Sequence, residues 1–266
     1  MLLAELATLF RRMRVKVLLG VLAGIPAGLA VAVYLSGGPS AGRGPTFLDQ
    51  VSRNGMFAAL AGLTVAIPFF LPLVIAVVSG DAIAGEANLG TLRYLLTRPS
   101  GRTRLLATKA LTVAVFCLAA TVAVALGGLI AGVILFPIGK VVTLSGTTIS
   151  LAEGMLRTFA AAGIVAASLL GLASIGLFVS TLTDAPVGAM AATAGFAVLS
   201  AVLDNVPQTR AIHPWLFTHH WLAFGDLLRS PVQWSGIVAD LRLQLGYIAV
   251  FATAAWARFS TKDVLA

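Results

Sequence analysis

A chain of 266 residues that is 59% hydrophobic and only 11% charged, with a mean hydropathy of +0.98, holds too few ionisable side chains to cover a water-soluble domain of that size. Its apolar residues run on without interruption and do not alternate, which excludes a transmembrane β-barrel; its one cysteine, Cys117, excludes an intrachain disulfide framework and a cysteine-built metal site. The formal charge of +8, from 18 Lys+Arg against 10 Asp+Glu, gathers beside the apolar runs, so it reads as membrane topology and leaves no nucleic acid as partner.

Residues 1–16 come first. Leu2, Leu6, Leu9 and Met13 recur at helical spacing with Leu3 and Phe10 alongside, while Glu5, Thr8, Arg11 and Arg12 fall on the opposite arc. That pattern fits an interfacial helix lying among lipid headgroups; a solvated tail is the plainer alternative. Spanning helices are expected at 17–35, 57–79, 110–136, 159–179 and 187–203. A sixth, at 243–257, is short enough to require that Arg242 and Arg258 snorkel or that it start nearer Ile237. The first run follows Arg11, Arg12, Arg14 and Lys16, the order of a secretory signal, but it exceeds a typical signal core and Tyr34-Leu35-Ser36-Gly37 offers no A-x-A cleavage site.

Six crossings put both termini on one side. Segments 1–16, 80–109, 180–186 and 258–266 hold Arg11, Arg12, Arg14, Lys16, Arg93, Arg98, Arg102, Arg104, Lys109, Arg258 and Lys262, the larger share of the basic residues. The positive-inside rule therefore predicts cytoplasmic termini, in a plasma membrane such as the bacterial inner membrane.

No Asp, Glu, Lys, Arg or His falls in the middle of the first five spans, whereas proton- and ion-coupled carriers normally bury one near the midplane. Na⁺ held by neutral backbone or hydroxyl groups is the alternative; otherwise energy, if used, comes from nucleotide, yet the only Gly-Lys pair, Gly139-Lys140, has Ile134 and Val141 where a phosphate-binding loop needs glycine and a hydroxyl. A separate ATPase would have to do the work. Gly20, Gly24 and Gly28, and again Gly128 and Gly132, recur every four residues, the spacing of close helix packing within a bundle or a dimer. Pro26, Pro68 and Pro72 should each remove a backbone bond and bend their helices.

The segment 81–109 is the most informative. Leu89, Leu92 and Leu96 share a helical face with Leu95 beside it, and Pro99 followed by Ser100-Gly101 ends the helix. Its leucines need a cover: the lipid surface, neighbouring helix ends, or another protein's groove. Gly85-Glu86, Gly90-Thr91-Leu92, Leu95-Leu96-Thr97-Arg98-Pro99, Arg102 and Lys109 stand in the order that resembles the loop after the second span in permease subunits of ABC-2 type ATP-binding-cassette transporters. The close Arg258-Phe259-Ser260-Thr261-Lys262-Asp263 is similar to the aromatic, basic and aspartate ending of many such permeases. The resemblance covers the whole chain in architecture and about thirty residues in motif.

The resemblance implies an all-α integral membrane protein: one transmembrane domain over 1–266 with six spans, an amphipathic amino-terminal interfacial helix, and a cytoplasmic coupling helix between spans two and three that docks on a nucleotide-binding ATPase subunit. Glu86, Gly90, Thr91, Leu92, Arg93, Leu96, Pro99 and Arg102 are then the candidate coupling contacts. Glu86 has a plainer role near a helix start, and Arg102 and Arg104 as positive-inside anchors. A second permease subunit is implied as partner; ATP and Mg belong to the ATPase, and this chain carries no cofactor and no catalytic residue. The alternative from another class is a scaffold that recruits a cytoplasmic partner through 81–109 without transport; an intramembrane protease lacks paired catalytic residues.

The outer stretch 204–242 holds all three histidines, His213, His219 and His220, with Asp226 and Asp240. Adjacent His219 and His220 would diverge by about 100° on a helix, and no H-E-x-x-H or G-x-S-x-G occurs, so no metal or catalytic site is expected. Trp215, Phe217, Trp221, Leu222, Phe224 and Leu227 are expected to seat at headgroup level as an interfacial element punctuated by Pro207, Pro214 and Pro231. The neutral spans favour a hydrophobic or amphiphilic solute, a drug or lipid, leaving by efflux.

Overall fold

The computed structural model describes residues 1–36, 48–90 and 101–261. Helices α1 (Leu2–Arg11), α2 (Met13–Leu35), α3 (Leu48–Val51), α4 (Phe57–Ala66), α5 (Phe70–Asn88) and α6 (Arg102–Leu135) lead to a small hairpin of β1 (Val141–Val142) and β2 (Thr148–Ile149). Helices α7 (Leu151–Leu182) and α8 (Pro186–Asn205) follow, then 3-10 turns at Pro207–Thr209, His213–Trp215 and Trp221–Leu228, and finally α9 (Trp234–Thr261). Six of these helices, α2 and α5 to α9, are long and apolar enough to cross a bilayer. The chain is an all-α, multi-pass integral membrane protein.

Several helices differ from their expected bounds, for identifiable reasons. The second crossing, expected as one helix over 57–79, breaks at residues 67–69. Pro68 has no N–H for the Thr64 carbonyl and its ring crowds that carbonyl, whereas Pro72 sits in the first turn of α5, where an N–H has no helical partner in any case. Helix α6 begins at Arg102, well before the expected 110, and at 34 residues is roughly 50 Å long, so it stands clear of the hydrocarbon. The last helix starts at Trp234, before 243 and close to the alternative start at Ile237, and so carries Asp240 within it.

The near face of the molecule carries α1, the end of α5, the start of α6 and the end of α9; the hairpin and the 3-10 turns lie on the far face. Helix α4 is buried almost all round, between α2 and α6. Side chains smaller than methyl make this possible: a Cβ at Gly132 would overlap the Gly55 carbonyl, one at Gly128 the Ala59 backbone, and one at Gly62 the Pro26 ring. Among the described residues a Cβ at Gly20, Gly24 or Gly28 would meet no packed atom within 4 Å, so that stripe of α2 faces outward from them.

On the far face, Asn54 donates to the Gly139 and Lys140 carbonyls at 3.1 and 3.3 Å, and Arg157 to the Leu227 and Arg229 carbonyls at 2.8 and 3.1 Å. Ser150 caps α7 by accepting from the Glu153 N–H at 3.2 Å. Of the aromatic stretch expected at headgroup level, Trp215 and Leu222 are exposed, but Phe217, Trp221, Phe224 and Leu227 are buried in the core. The Trp221 indole N–H reaches the Ser168 carbonyl at 3.2 Å, so the outer segment is a lid on the helix bundle, anchored by the side chains that were expected to face lipid.

Candidate coupling site

The site builds up from the end of α5. Gly90 has φ +70°, a left-handed conformation that glycine adopts without strain; it follows the last helical turn, with its N–H on the Ala87 carbonyl at 3.0 Å. One turn earlier stands Glu86, and a turn before that Asp81. Gly85 has a packing reason as well: a Cβ there would come within 2.6 Å of the Asp81 carboxylate. The G-E pair thus lets two acids project from the same end of the helix without steric conflict.

Across from them, in the third turn of α6, Lys109 is 5% exposed although it is a lysine. Its ammonium contacts the Glu86 carboxylate of α5 and the Glu5 carboxylate of α1. A lysine so buried needs its partners, because an ammonium without compensation in a low-dielectric place is costly. Asp81 accepts from Arg12 at 3.1 Å and from Arg14. These two arginines flank the α1–α2 corner, which turns because Arg12 is extended between the helices.

Two ionic clusters therefore hold the amino-terminal helix to the ends of α5 and α6. Between them lies a cavity of about 480 Å³ bordered by Glu5, Arg12, Asp81, Glu86, Lys109 and Pro186. Leu9 and Phe10 pack against the main core, and Phe10 meets Phe116 with ring centroids 6.4 Å apart. Glu5, which helical spacing puts on the polar arc of α1, lies at the border of the leucine face and turns inward to Lys109.

Neighbouring contacts stiffen the same end. The Ser180 hydroxyl of α7 donates to the Gly80 carbonyl at 2.7 Å and accepts from the N–H groups of Ile83 and Ala84 at 3.0 and 2.8 Å. Arg102 opens α6 and donates to the Phe259 and Ser260 carbonyls at 3.4 and 2.8 Å, satisfying carbonyls that the end of α9 leaves without helical partners. The Trp256 indole adds a bond to the Thr103 hydroxyl at 3.0 Å.

Of the candidate coupling contacts, the structure brings Glu86 into the ionic cluster, puts Gly90 at the helix end and gives Arg102 to α9. Thr91, Leu92, Arg93, Leu96 and Pro99 lie outside the described residues, as do Lys262 and Asp263. Sequence reasoning did not select Glu5, Arg12, Arg14 and Asp81 as a set, and counted Lys109 as a basic residue before the third span and an element of the motif, not as the centre of a cluster. Their signal was available: opposite charges at the ends of three predicted helices that must share one face of the membrane.

On the far face the fold buries a second polar group unforeseen from sequence. Asp240 is fully buried in α9 and accepts from the Ser168 hydroxyl and from the Gln244 amide, the latter at 2.9 Å. Beside it an open cavity of about 740 Å³ is lined by Trp215, His220, Arg242, Tyr247, Val250 and Phe251, among others. Burial and the adjacent His219 hold His220 below the ordinary histidine range, against the opposing pull of the Asp240 and Asp204 carboxyls. The histidine pair weighed from sequence, His219 with His220, is not the one that converges on an acid: His213 and His219 both approach Asp204.

Comparison with known proteins adds a relative. Over 78 residues, 29% of this chain and 26% of the other, the sequence is 38% identical to the "Probable ABC transporter permease protein NosY" of Pseudomonas aeruginosa. The matched stretch thus spans about a quarter of that relative's length, and over it the chain is similar to a transporter permease. The model of the family described as "Protein of unknown function (DUF2705)" matches residues 29–265, nearly all of the spans just described, and the chain belongs to that family.

Proposed function

We propose that this chain is the transmembrane permease subunit of an ABC-2 type ATP-binding-cassette transporter, with both termini in the cytoplasm. Two such subunits and two nucleotide-binding ATPase subunits form the working unit, and ATP with Mg is bound and hydrolysed in the ATPase. The cargo is a hydrophobic or amphiphilic solute, drug-like or lipid-like, moved outward across a bacterial inner membrane.

The observation that carries this reading is the Lys109 cluster. The motif-bearing segment that begins at Gly85-Glu86 is strung between α5 and α6, and those two helices are clasped at its base by Lys109 and Glu86. A displacement imposed on the segment by a partner is thereby delivered to two spans and, through Glu5, to the interfacial helix. The partial likeness to a transporter permease supports the same reading. The outward-facing Gly20, Gly24 and Gly28 stripe suits the approach of a second membrane helix, and the largely apolar far-face cavity suits an amphiphile in size and lining.

The test is co-expression with an ATPase encoded beside this chain. A complex should form whose ATP hydrolysis is altered by Leu92→Asp with Leu96→Asp, and reconstituted vesicles should move an amphiphilic dye only when ATP and the ATPase are present. Binding without ATP-dependent transport in such vesicles would favour a scaffold, and cargo movement by this chain alone would overturn the proposal.

A further inference from the structure

We propose that Asp204, His213 and His219 form a binding site for a borderline divalent cation such as Zn²⁺ on the far face, a role apart from the coupling proposed above. One ligand atom from each lies within 4.8 Å of the others. Asp204 stands next to the end of α8, His213 opens a 3-10 turn, and His219 lies in the turn preceding Trp221–Leu228. The chain order gives no metal motif; the lid brings the three together.

The hydrogen bonds prepare the site. His213 Nε2 lies 3.2 Å from the Val206 carbonyl, which can only accept, so this nitrogen carries the proton. The nearby Thr209 hydroxyl, 3.3 Å from the same nitrogen, has carbonyls of Leu203 and Val206 for its own proton at 2.5 and 2.7 Å. His213 Nδ1 is then left as a lone pair, and it faces Asp204 Oδ1 across 3.9 Å. A cation between them would take the His213 Nδ1 lone pair and replace the His219 proton that Asp204 Oδ1 now accepts. A backbone carbonyl fixing the remote N–H is also the arrangement that orients metal-bound imidazoles.

His219 Nδ1 completes the set: it donates to the same carboxylate oxygen at 2.6 Å, and the metal takes this nitrogen by displacing that proton to solvent. Tetrahedral zinc at about 2.0–2.1 Å from each ligand spaces its ligand atoms by about 3.3 Å. The present separations straddle that value, so small side-chain rotations suffice to bind. The side chains of Asp204, His213 and His219 are 21, 15 and 32% exposed, which leaves an approach from solution and an open fourth position. Two imidazoles and one carboxylate select Zn²⁺ or a similar ion over Ca²⁺ and Mg²⁺, which prefer oxygen. The bound ion would pin the end of α8 to the two turns that begin the lid.

The experiment uses the full chain in lipid nanodiscs, purified without a polyhistidine tag and dialysed against Zn²⁺. One zinc per chain is expected, with affinity about tenfold or more weaker in Asp204→Asn, His213→Gln and His219→Gln, and retained in His220→Gln and in excess Mg²⁺. X-ray absorption at the zinc edge of the unaltered protein, which does not depend on any variant folding, should report a nitrogen and oxygen shell with two imidazoles. Absence of stoichiometric zinc, zinc unaffected by all three substitutions, displacement by Mg²⁺, or sulfur in the shell would each overturn the assignment.

Discussion

Lys109 and Glu86, 23 residues apart in sequence, meet as an ion pair at the near face, one from the third turn of α6 and the other from the last turns of α5. The pair therefore ties the end of α5 directly to the start of α6. Glu5 of α1 shares the same ammonium, so three elements depend on one buried charge.

Replacing that charge should be damaging. Lys109→Met keeps much of the volume but takes the shared ammonium from Glu5 and Glu86, and a loss on the order of 3 kcal/mol is expected. Glu86→Gln should cost less, since Glu5 still pairs with the lysine. Thermal unfolding in detergent checks this: an unchanged midpoint for Lys109→Met would show that the cluster does not hold these helices together.

The Asp81 cluster should behave differently, because Arg12 and Arg14 are both more than 40% exposed. Asp81→Asn is expected to cost only about 0.5–1 kcal/mol, and less at high salt. Its visible effect should be local: faster hydrogen exchange over Leu2–Arg11 as the corner loosens. Exchange indistinguishable from the parent would mean that Leu9 and Phe10 alone seat this helix.

Two glycines of the same spacing pattern should part company. Gly132→Val drives side-chain atoms into the Gly55 backbone and should prevent normal assembly of α4 against α6, whereas a Cβ at Gly24 has no atom of the described residues packed against it within 4 Å. Folded yield and unfolding temperature of the monomer should fall sharply for the first and stay level for the second. Loss of a dimer, without loss of monomer stability, in Gly24→Val would identify the α2 stripe as the subunit contact.

Arg102→Met should fray the end of α9. The bonds to the Phe259 and Ser260 carbonyls are worth about 1–3 kcal/mol together, and Arg102→Lys should restore part of the loss, since a lysine lacks the forked geometry. Faster exchange confined to the last turns of α9 is the expected reading; a uniform change across the bundle would point to a different role.

Sequence reasoning recovered the spans because a run of apolar residues long enough to cross hydrocarbon is a strong, local signal. For the sixth span the alternative start nearer Ile237 is the better one, since Asp240 looks like a loop residue until Ser168 of another helix is known to face it. The break at Pro68 was legible as a bend but not as a division into two helices. Phe217 and Trp221 looked interfacial because aromatic composition alone cannot distinguish a headgroup belt from a lid packed on the core. The pairing of Lys109 with Glu5 needed the fold, as it joins residues 104 positions apart.

The interruption of the second crossing divides it between two owners. Its far half, α4, is locked to α2 and α6 by backbone contact at Gly62, Gly128 and Gly132; its near half, α5, is gripped through Asp81, Glu86 and the Ser180 hydroxyl. An elbow at residues 67–69, where Pro68 has no N–H to give, offers the coupling proposed above a place to bend. Torque applied beyond Asn88 would then tilt the near arm while the far arm stays put, and the glycine-lined seam on the opposite side need not open.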